Sequence, residues 1–296
     1  MEFAVQQIIS GLALGGSYAL VALGFVLTFG VLNILNIAHV QTIMIAPMAL
    51  ALLTAAGIPA IVAVPLGLLA TVLFGALVFL IGLKPFVTGR GRATYLAPFI
   101  ASFGISLLVE NLVATLLGSD PRSFPITLPN DLWHIGDFEI VPTDMIALGV
   151  VALTLVILAM VVNRTNFGRA MRAVAENPDV AAAQGISVAQ TVLITVMSAS
   201  LLGGISGLLF AAESFSEAPF MGLDYGLKGL VVMILGGVTS PIGAVVTGLG
   251  LGVVESLTET YVSSVFRDVI TFALLFAALI LRPQGMFAGS SREARP

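Results

Sequence analysis

The sequence predicts an all-α protein, a polytopic transmembrane helical bundle of about eight to nine spans that includes one broken or short helix pair. Of the 296 residues, 58% are hydrophobic and only 9% are charged, whereas soluble proteins carry about 25% charged residues. Apolar stretches of about 20 residues, the length that crosses a bilayer as a helix, recur along the whole chain. This composition excludes a disordered chain, a nucleic-acid binder with a basic face and, since the chain has no cysteine, a disulfide scaffold.

The apolar stretches define the predicted spans. Seven of them are 5–31, 36–56, 59–83, 95–117, 145–163, 191–212 and 265–282. An eighth, 227–258, is interrupted by Gly236, Gly237, Pro241 and Gly243. Because each half is short for a standard span, we expect two short or broken helices that meet at this interruption. Non-helical backbone at membrane depth is tolerated only where it is buried in protein or lines water, so the break indicates a solute pathway. A plain helix hairpin with a tight turn is the alternative.

Basic residues orient the bundle, since cytoplasmic connections carry an excess of Lys and Arg. Nine of the twelve basic residues fall in three segments: Lys84, Arg90 and Arg92; Arg164, Arg169 and Arg172; Arg282, Arg292 and Arg295. We therefore place these segments and the C-terminus in the cytoplasm. The acidic segment 118–144 is expected outside as an external loop, and the N-terminus outside as well. The opening stretch lacks a basic n-region, so we expect a span and not a cleaved signal peptide.

Polar side chains in and beside the spans are candidates for a solute pathway. Ser102, Ser106 and Glu110 are spaced four apart, which puts them on one helix face, and carboxylates inside a membrane usually face the bundle interior. A second group lies between the first two spans and comprises Asn33, Asn36, His39 and Gln41. The alternatives are that Glu110 only packs or reaches the interface, and that Asn33 and Asn36 cap helix ends.

Motifs for enzymatic chemistry are nearly absent. Neither of the two lysines follows a glycine directly, so there is no Walker A motif, and the two histidines form no HExxH motif for zinc. Gly204-Ile-Ser-Gly matches the short GxSG string of rhomboid-type serine proteases. That chemistry needs a histidine within hydrogen-bond reach of Ser206, and we expect His39 at a cytoplasmic helix end, far from it. The protease is a remote alternative, and we expect no catalytic residue, no metal site and no cofactor bound by the chain itself.

The segment 164–190 carries the most specific local signals. Residues 168–176 are good helix formers, Asn177 suits an N-cap, Pro178 suits the first position of a second helix, and Gly185 suits its left-handed end. Two short helices are therefore predicted at the cytoplasmic face. So small an element cannot fold alone, and its alanine-rich faces with few charges suit docking into a groove of another protein. A helix lying on the lipid surface is the alternative.

Two motifs give the chain a specific resemblance to a known family. Residues 168–179 (Gly-Arg-Ala-Met-Arg-Ala-Val-Ala-Glu-Asn-Pro-Asp) and residues 281–287 (Leu-Arg-Pro-Gln-Gly-Met-Phe) resemble the ATPase-docking loop and the ending of inner-membrane permease subunits of ABC importers for branched-chain amino acids. Softer matches lie at 11–25, 33–39 and 235–244. The chain thus resembles this family, the LivH-type subunit in particular, over nearly its full length. Departures at Val40 and at residues 239–241 leave the solute open.

The resemblance implies a single transmembrane permease domain over 1–296, in the bacterial inner membrane, that moves solute by alternating access and does no chemistry itself. The implied partners are two cytoplasmic ABC ATPase subunits that bind the ATP, a second homologous permease subunit, a periplasmic solute-binding protein and the lipid bilayer, with no nucleic acid. The ATPase-docking residues would be Arg169, Arg172, Glu176, Asn177, Pro178 and Gly185. The competing class is a secondary transporter or channel driven by an ion gradient, which often carries several intramembrane ionisable residues.

Overall fold

The computed structural model describes residues 2–88, 96–126, 133–135, 138–282 and 285–287. The helices in chain order are α1 (Glu2–Leu32), α2 (Gln41–Ala55), α3 (Ala60–Leu77), α4 (Lys84–Thr88), α5 (Leu96–Leu117), α6 (Pro142–Arg164), α7 (Asn166–Glu176), α8 (Pro178–Ala183), α9 (Val188–Ser214), α10 (Met221–Gly236), α11 (Pro241–Tyr261) and α12 (Phe266–Leu281). A 3₁₀ turn (Ile37–Val40) leads into α2, and a π-helical stretch (Val78–Leu83) joins α3 to α4. Two short antiparallel pairs join β1 (Arg122–Ser123) to β4 (Ser216–Glu217) and β2 (Trp133–Ile135) to β3 (Phe138–Ile140).

Seven helical stretches of the described chain are long and apolar enough to cross a membrane: Ala4–Leu32, Ile37–Ala55, Ala60–Val87, Leu96–Leu117, Pro142–Arg164, Val188–Ser214 and Pro241–Tyr261. An all-α polytopic membrane protein is thereby confirmed. The prediction that both halves of the interrupted stretch 227–258 form short helices is wrong for the second half, because α11 has 21 residues. The helix continues to Tyr261 past the buried Glu255, whose carboxylate pairs with Lys228 and Arg267. The short helices are α10 and α12, with 16 residues each.

Helix α1 lies at the centre of the bundle and is packed most closely against α11. A Cβ atom at Gly15 would lie 2.5 Å from the carbonyl oxygen of Gly248, and one at Gly11 would lie 2.6 Å from the Cα of Val253. Helices in lipid gain little from the hydrophobic effect, so small residues that allow this close approach carry their association. The GxxxG spacings at 11–15 and 248–252 therefore meet face to face in an antiparallel helix pair.

The two ends of the bundle hold different sets of elements. One end, here named the N-terminal face, holds the starts of α1, α6, α10 and α12 and the ends of α9 and α11. The hydroxyl of Ser10 donates to Asp144 there, and Ser256 Oγ donates to the carbonyl oxygen of Gln7 at 2.8 Å. The opposite end, named the C-terminal face, holds α7, α8, the α10–α11 connection and residues 285–287.

The interrupted stretch is a tight hairpin turn at the C-terminal face. Helix α10 ends at Gly236 and α11 starts at Pro241, and the side chain of Ser240 caps α11 by accepting the N–H of Gly243 at 3.1 Å. The predicted break is therefore present, in the helix-hairpin form of the two forms considered. Residues 285–287 cover it, since the backbone N–H groups of Met286 and Phe287 donate to the carbonyls of Leu235 and Gly236 at 2.8 and 3.3 Å.

Candidate functional site

The helix pair α7–α8 forms where its capping residues were predicted. Asn177 Oδ1 accepts the backbone N–H groups of Asp179 and Val180 at 3.0 and 3.1 Å, and Pro178 occupies the first turn of α8. Gly185 follows α8 with φ +86°, a left-handed conformation that glycine adopts without steric cost. At the start of the pair, the hydroxyl of Thr165 accepts the N–H of Gly168 at 3.2 Å. These local features determine where the two short helices begin and where α8 ends.

One face of the pair is anchored in the bundle and the other is exposed. Val174 and Ala181 are both 2% exposed and belong to a buried apolar cluster with α9 residues such as Val192. The six predicted docking residues lie at exposed positions: Arg169, Arg172, Glu176, Asn177, Pro178 and Gly185. Arg172 also donates to the carbonyl oxygen of Val162, 2.6 Å away near the end of α6, where a cation complements the helix dipole. A rigid base thus presents a charged surface at the C-terminal face.

The predicted polar face of α5 is buried against the start of α2. Ser102 Oγ accepts the N–H of Ile37 at 3.2 Å, and the Gln41 side chain donates to both Ser106 Oγ and Glu110 Oε2 at 2.9 Å. All three α5 residues are less than 8% exposed. The structure therefore joins them to Ile37 and Gln41 in one polar seam between α5 and the start of α2, named the α2–α5 seam. Within the described residues, Gln41 Oε1 has no hydrogen-bond partner.

The other group of candidates does not come together. His39 faces α1 instead, where its Nε2 lies 3.3 Å from the carbonyl oxygen of Val21 and its ring meets Phe25 edge-on. Asn36 is buried, and its Oδ1 is without a partner in the part of the chain that the structure describes. Asn33 is exposed and ends α1 in a left-handed conformation, φ 53°. Its position is that of a helix-ending residue, whereas Asn36 makes no side-chain cap bond.

The geometry does not form a Ser–His pair. Ser206 Oγ donates to the backbone carbonyl of Ser17 at 2.9 Å, and His39 bonds to α1 as described above. His39 is also 2% exposed, so it lies in the bundle interior and not at a surface helix end, because the 3₁₀ turn folds back against α1 and α9. Across the described ranges, no three His, Cys, Asp or Glu side chains come together in a way that could hold a metal ion.

A buried ionic cluster near the N-terminal face was not predicted from the sequence. Its hub is Glu255, which is 0% exposed. Its carboxylate accepts Tyr18 Oη at 2.7 Å, Arg267 Nε at 2.8 Å and Thr271 Oγ1 at 2.5 Å, and Lys228 Nζ lies 3.2 Å away. These five residues, named the Glu255 cluster, tie α1, α10, α11 and α12 together. Charged groups inside a membrane are stabilised by such pairing.

The two cations of the cluster also reach acidic residues nearer the surface. Lys228 Nζ lies 2.8 Å from Asp268, and Arg267 Nη1 lies 3.2 Å from Glu259. The sequence signal for this arrangement was two opposite charges, Lys228 and Glu255, inside one interrupted apolar stretch. Their pairing was not visible in the sequence because 27 residues and a hairpin turn separate them.

Another buried carboxylate lies outside the spans, on the small β1–β4 pair. Glu217 faces Arg122 across the two strands, yet both carboxylate oxygens are without a hydrogen bond to any described residue. Burial raises the pKa of Glu217 to about 7, and the charge of Arg122 opposes this rise. The side chain therefore changes charge near neutral pH.

The chain is similar to known membrane transport proteins over nearly its full length. A family model described as the permease component of branched-chain amino acid transport systems matches residues 7–279. The high-affinity branched-chain amino acid permease protein LivH of Salmonella typhimurium is 29% identical, over 95% of this chain and 94% of that protein. BraD of Pseudomonas aeruginosa, a permease protein of the same description, is 28% identical over 95% of each chain. The nucleoside ABC transporter permease NupB of Lactococcus lactis is 26% identical over 74% of this chain and 64% of that protein. Since the family model spans nearly the whole sequence, the chain belongs to the family of permease components of branched-chain amino acid transport systems.

Proposed function

We propose that the chain is the membrane-spanning permease subunit of an ABC importer for branched-chain amino acids or a related small polar solute. It moves solute by alternating access, powered by separate ATPase subunits, and has no catalytic site of its own. The observation that carries this proposal is the α7–α8 pair, a capped and core-anchored element with an exposed charged surface. An ion-gradient transporter has no need for such an element.

The proposed orientation places the C-terminal face in the cytoplasm and the N-terminus outside. On the C-terminal face, Lys84 begins α4, Arg164 ends α6 and Arg282 follows α12, while α7 contains Arg169 and Arg172. Basic residues on a cytoplasmic face agree with the positive-inside rule. If α10 and α12 cross as short spans beside the seven long ones, the bundle has nine crossings. An odd number puts the two termini on opposite sides. Arg90, Arg92, Arg292 and Arg295 lie outside the described residues.

The proposed assembly has this chain paired with a second homologous permease subunit, two cytoplasmic ATPase subunits below it and a periplasmic solute-binding protein above it. ATP binds to the ATPase subunits. Their closure moves α7–α8, and the movement passes to α6 through the Arg172–Val162 bond. It also passes to α9 through the apolar cluster around Val174 and Ala181. The N-terminal face then receives solute from the binding protein.

The test is ATP-driven uptake by the reconstituted transporter carrying Arg172→Glu. Reversing a docking charge juxtaposes like charges at a cost of several kcal/mol, so we expect uptake to fall by more than about tenfold and ATPase subunits to be lost from the purified complex. Arg282→Glu is the matched control, an exposed charge reversal on the same face but outside α7–α8. Normal ATP-driven uptake with Arg172→Glu, or uptake that needs an ion gradient and not ATP, would contradict the proposal.

A further inference from the structure

A cleft of about 400 Å³ lies between the first turns of α10 and α12 at the N-terminal face. It is lined by Asp224, Tyr225, Leu227, Lys228, Ser264, Arg267, Asp268 and Phe272. Sites for small molecules typically have volumes of about 300–1,000 Å³ and combine apolar walls with a few placed polar groups. This cleft, named the α10–α12 cleft, has that size and that mixture.

Charges of both signs meet in the cleft. The cations are Lys228 and Arg267, which the buried Glu255 carboxylate holds in place from behind at 3.2 and 2.8 Å. The anions are Asp268, whose side chain is 68% exposed beside Lys228, and Asp224. The carboxylate of Asp224 makes no hydrogen bond or ion pair with another described residue, although Asp268 and Lys228 are near enough to act on its charge. A carboxylate without a donor is thus available next to a positioned cation.

An apolar wall stands beside these charges. Leu227 is 43% exposed and Phe272 is 38% exposed, so both side chains present apolar surface at the cleft. Tyr225 stacks on Phe210 with ring centroids 4.0 Å apart, which fixes its position. The cleft therefore offers a cation, an anion and an apolar surface within one small volume.

We propose that the α10–α12 cleft binds a small α-amino acid zwitterion with an apolar side chain. Its ammonium group is held by Asp224 and Asp268, and its carboxylate by Lys228 and Arg267, with its side chain against Leu227 and Phe272. Opposite charges paired in this way form the stronger class of hydrogen bonds. The inference rests on the proposed function in one respect, since it takes the N-terminal face as the side on which solute arrives.

The carboxylate of the bound amino acid takes the place of the Asp268 carboxylate beside Lys228. Asp268 is largely exposed and pairs with Lys228 at 2.8 Å, so the ligand carboxylate can take its place at modest cost, while its ammonium group compensates the displaced Asp268. Glu255 stays buried and continues to position both cations. Binding therefore moves the exposed Asp268 side chain while the Glu255 cluster stays intact.

The experiment measures binding of radiolabelled L-leucine to the complete transporter in lipid nanodiscs, without the periplasmic binding protein. Competition with 4-methylpentanoate, which lacks the amine, and with 3-methylbutylamine, which lacks the carboxylate, tests the need for both charges. We expect saturable leucine binding and at least about tenfold weaker competition by either probe, because each leaves one charged side unpaired. Competition by either probe as strong as that by unlabelled leucine, or no saturable binding at millimolar leucine, would overturn the inference.

Variants locate the binding. Asp224→Asn is expected to weaken leucine binding by at least about tenfold, since a charged hydrogen-bond partner is lost. Leu227→Trp fills the cleft from a half-exposed position and is expected to block binding without disturbing the core. The control Asp120→Asn removes an exposed carboxylate in the loop after α5 and should leave affinity within about twofold. Unchanged affinity in both cleft variants would refute the site.

The same nanodiscs separate this inference from the proposed function. ATP-driven leucine uptake, measured with the periplasmic binding protein of the same importer, reports on the importer as a whole. If ATP-driven uptake persists but neither Asp224→Asn nor Leu227→Trp changes leucine affinity, the binding site in the cleft is refuted and the importer function is retained. If leucine uptake does not depend on ATP but leucine still binds in the cleft, the importer function is refuted and the binding site is retained.

Discussion

Replacing Glu255 by glutamine isolates the contribution of the ionic cluster to stability. The substitution keeps the shape of the side chain but removes the negative charge that faces Lys228 and Arg267 at 3.2 and 2.8 Å. Removing one partner of a buried ion pair typically costs about 3–5 kcal/mol, because the remaining charge is left uncompensated. Asp268 and Glu259 still pair with the two cations, from partly exposed positions. We therefore expect the low end of the range, about 3 kcal/mol.

The assay is thermal unfolding of the purified chain in mild detergent. With about 2 °C per kcal/mol for a chain of this size, Glu255→Gln should lower the unfolding midpoint by about 6 °C. Glu259→Gln is the matched control, because its carboxylate is 49% exposed and, among the described residues, pairs with Arg267, and exposed pairs contribute about 1 kcal/mol or less. Equal midpoints for the two variants would show that burial of Glu255 does not determine the energetics of the cluster.

Two further predictions follow from the packing and from the small β1–β4 pair. Gly15→Val should prevent stable folding, since even a Cβ would lie 2.5 Å from the Gly248 carbonyl oxygen. Gly30→Val should be tolerated, because nothing lies within 4 Å of its Cβ position. The measurement is the yield of monodisperse protein for each variant, and equal yields would contradict the close α1–α11 contact. The raised pKa of Glu217, about 7, means that the folded state holds an extra proton, so stability falls as pH rises from the ordinary value of about 4.5 to about 7. Glu217→Gln should therefore increase the free energy of unfolding at pH 8 by up to about 3 kcal/mol, which raises the unfolding midpoint, and should leave the midpoint unchanged at pH 4. The same midpoint shift at both pH values would refute the raised pKa of Glu217.

Local features were predictable because they depend on few neighbouring residues. Span positions follow from apolar length, which the bilayer thickness fixes. The start of α8 follows from Pro178 and from Asn177, whose side-chain bonds reach only two or three residues along the chain. The shared face of Ser102, Ser106 and Glu110 follows from helix periodicity. In each case, the information lies within one turn or one helix.

Features that depend on distant pairing were not predictable. The interrupted stretch 227–258 contains Glu255, whose partners Tyr18 and Arg267 lie 237 residues before it and 12 residues after it, so the sequence did not predict the cluster. His39 was expected at a surface helix end, but the turn that precedes α2 folds inward against Gly24 and Gly203. Both cases concern which side chains face each other across helices, and a single sequence does not contain this information.

The free energy needed to separate two neighbouring helices differs between the α1–α11 and α2–α5 contacts, and this difference determines which helices we expect to move apart. The α1–α11 seam is held by close backbone contact at glycines, so separating these helices loses many van der Waals contacts at once. Helix α5, by contrast, has four buried positions among its 22 residues: Pro98, Ser102, Ser106 and Glu110. Its hold on α2 is a line of hydrogen bonds, which water replaces at a net cost of only about 1 kcal/mol each. When α7–α8 is driven from the C-terminal face, we therefore expect the α2–α5 seam to open while α1 and α11 move together.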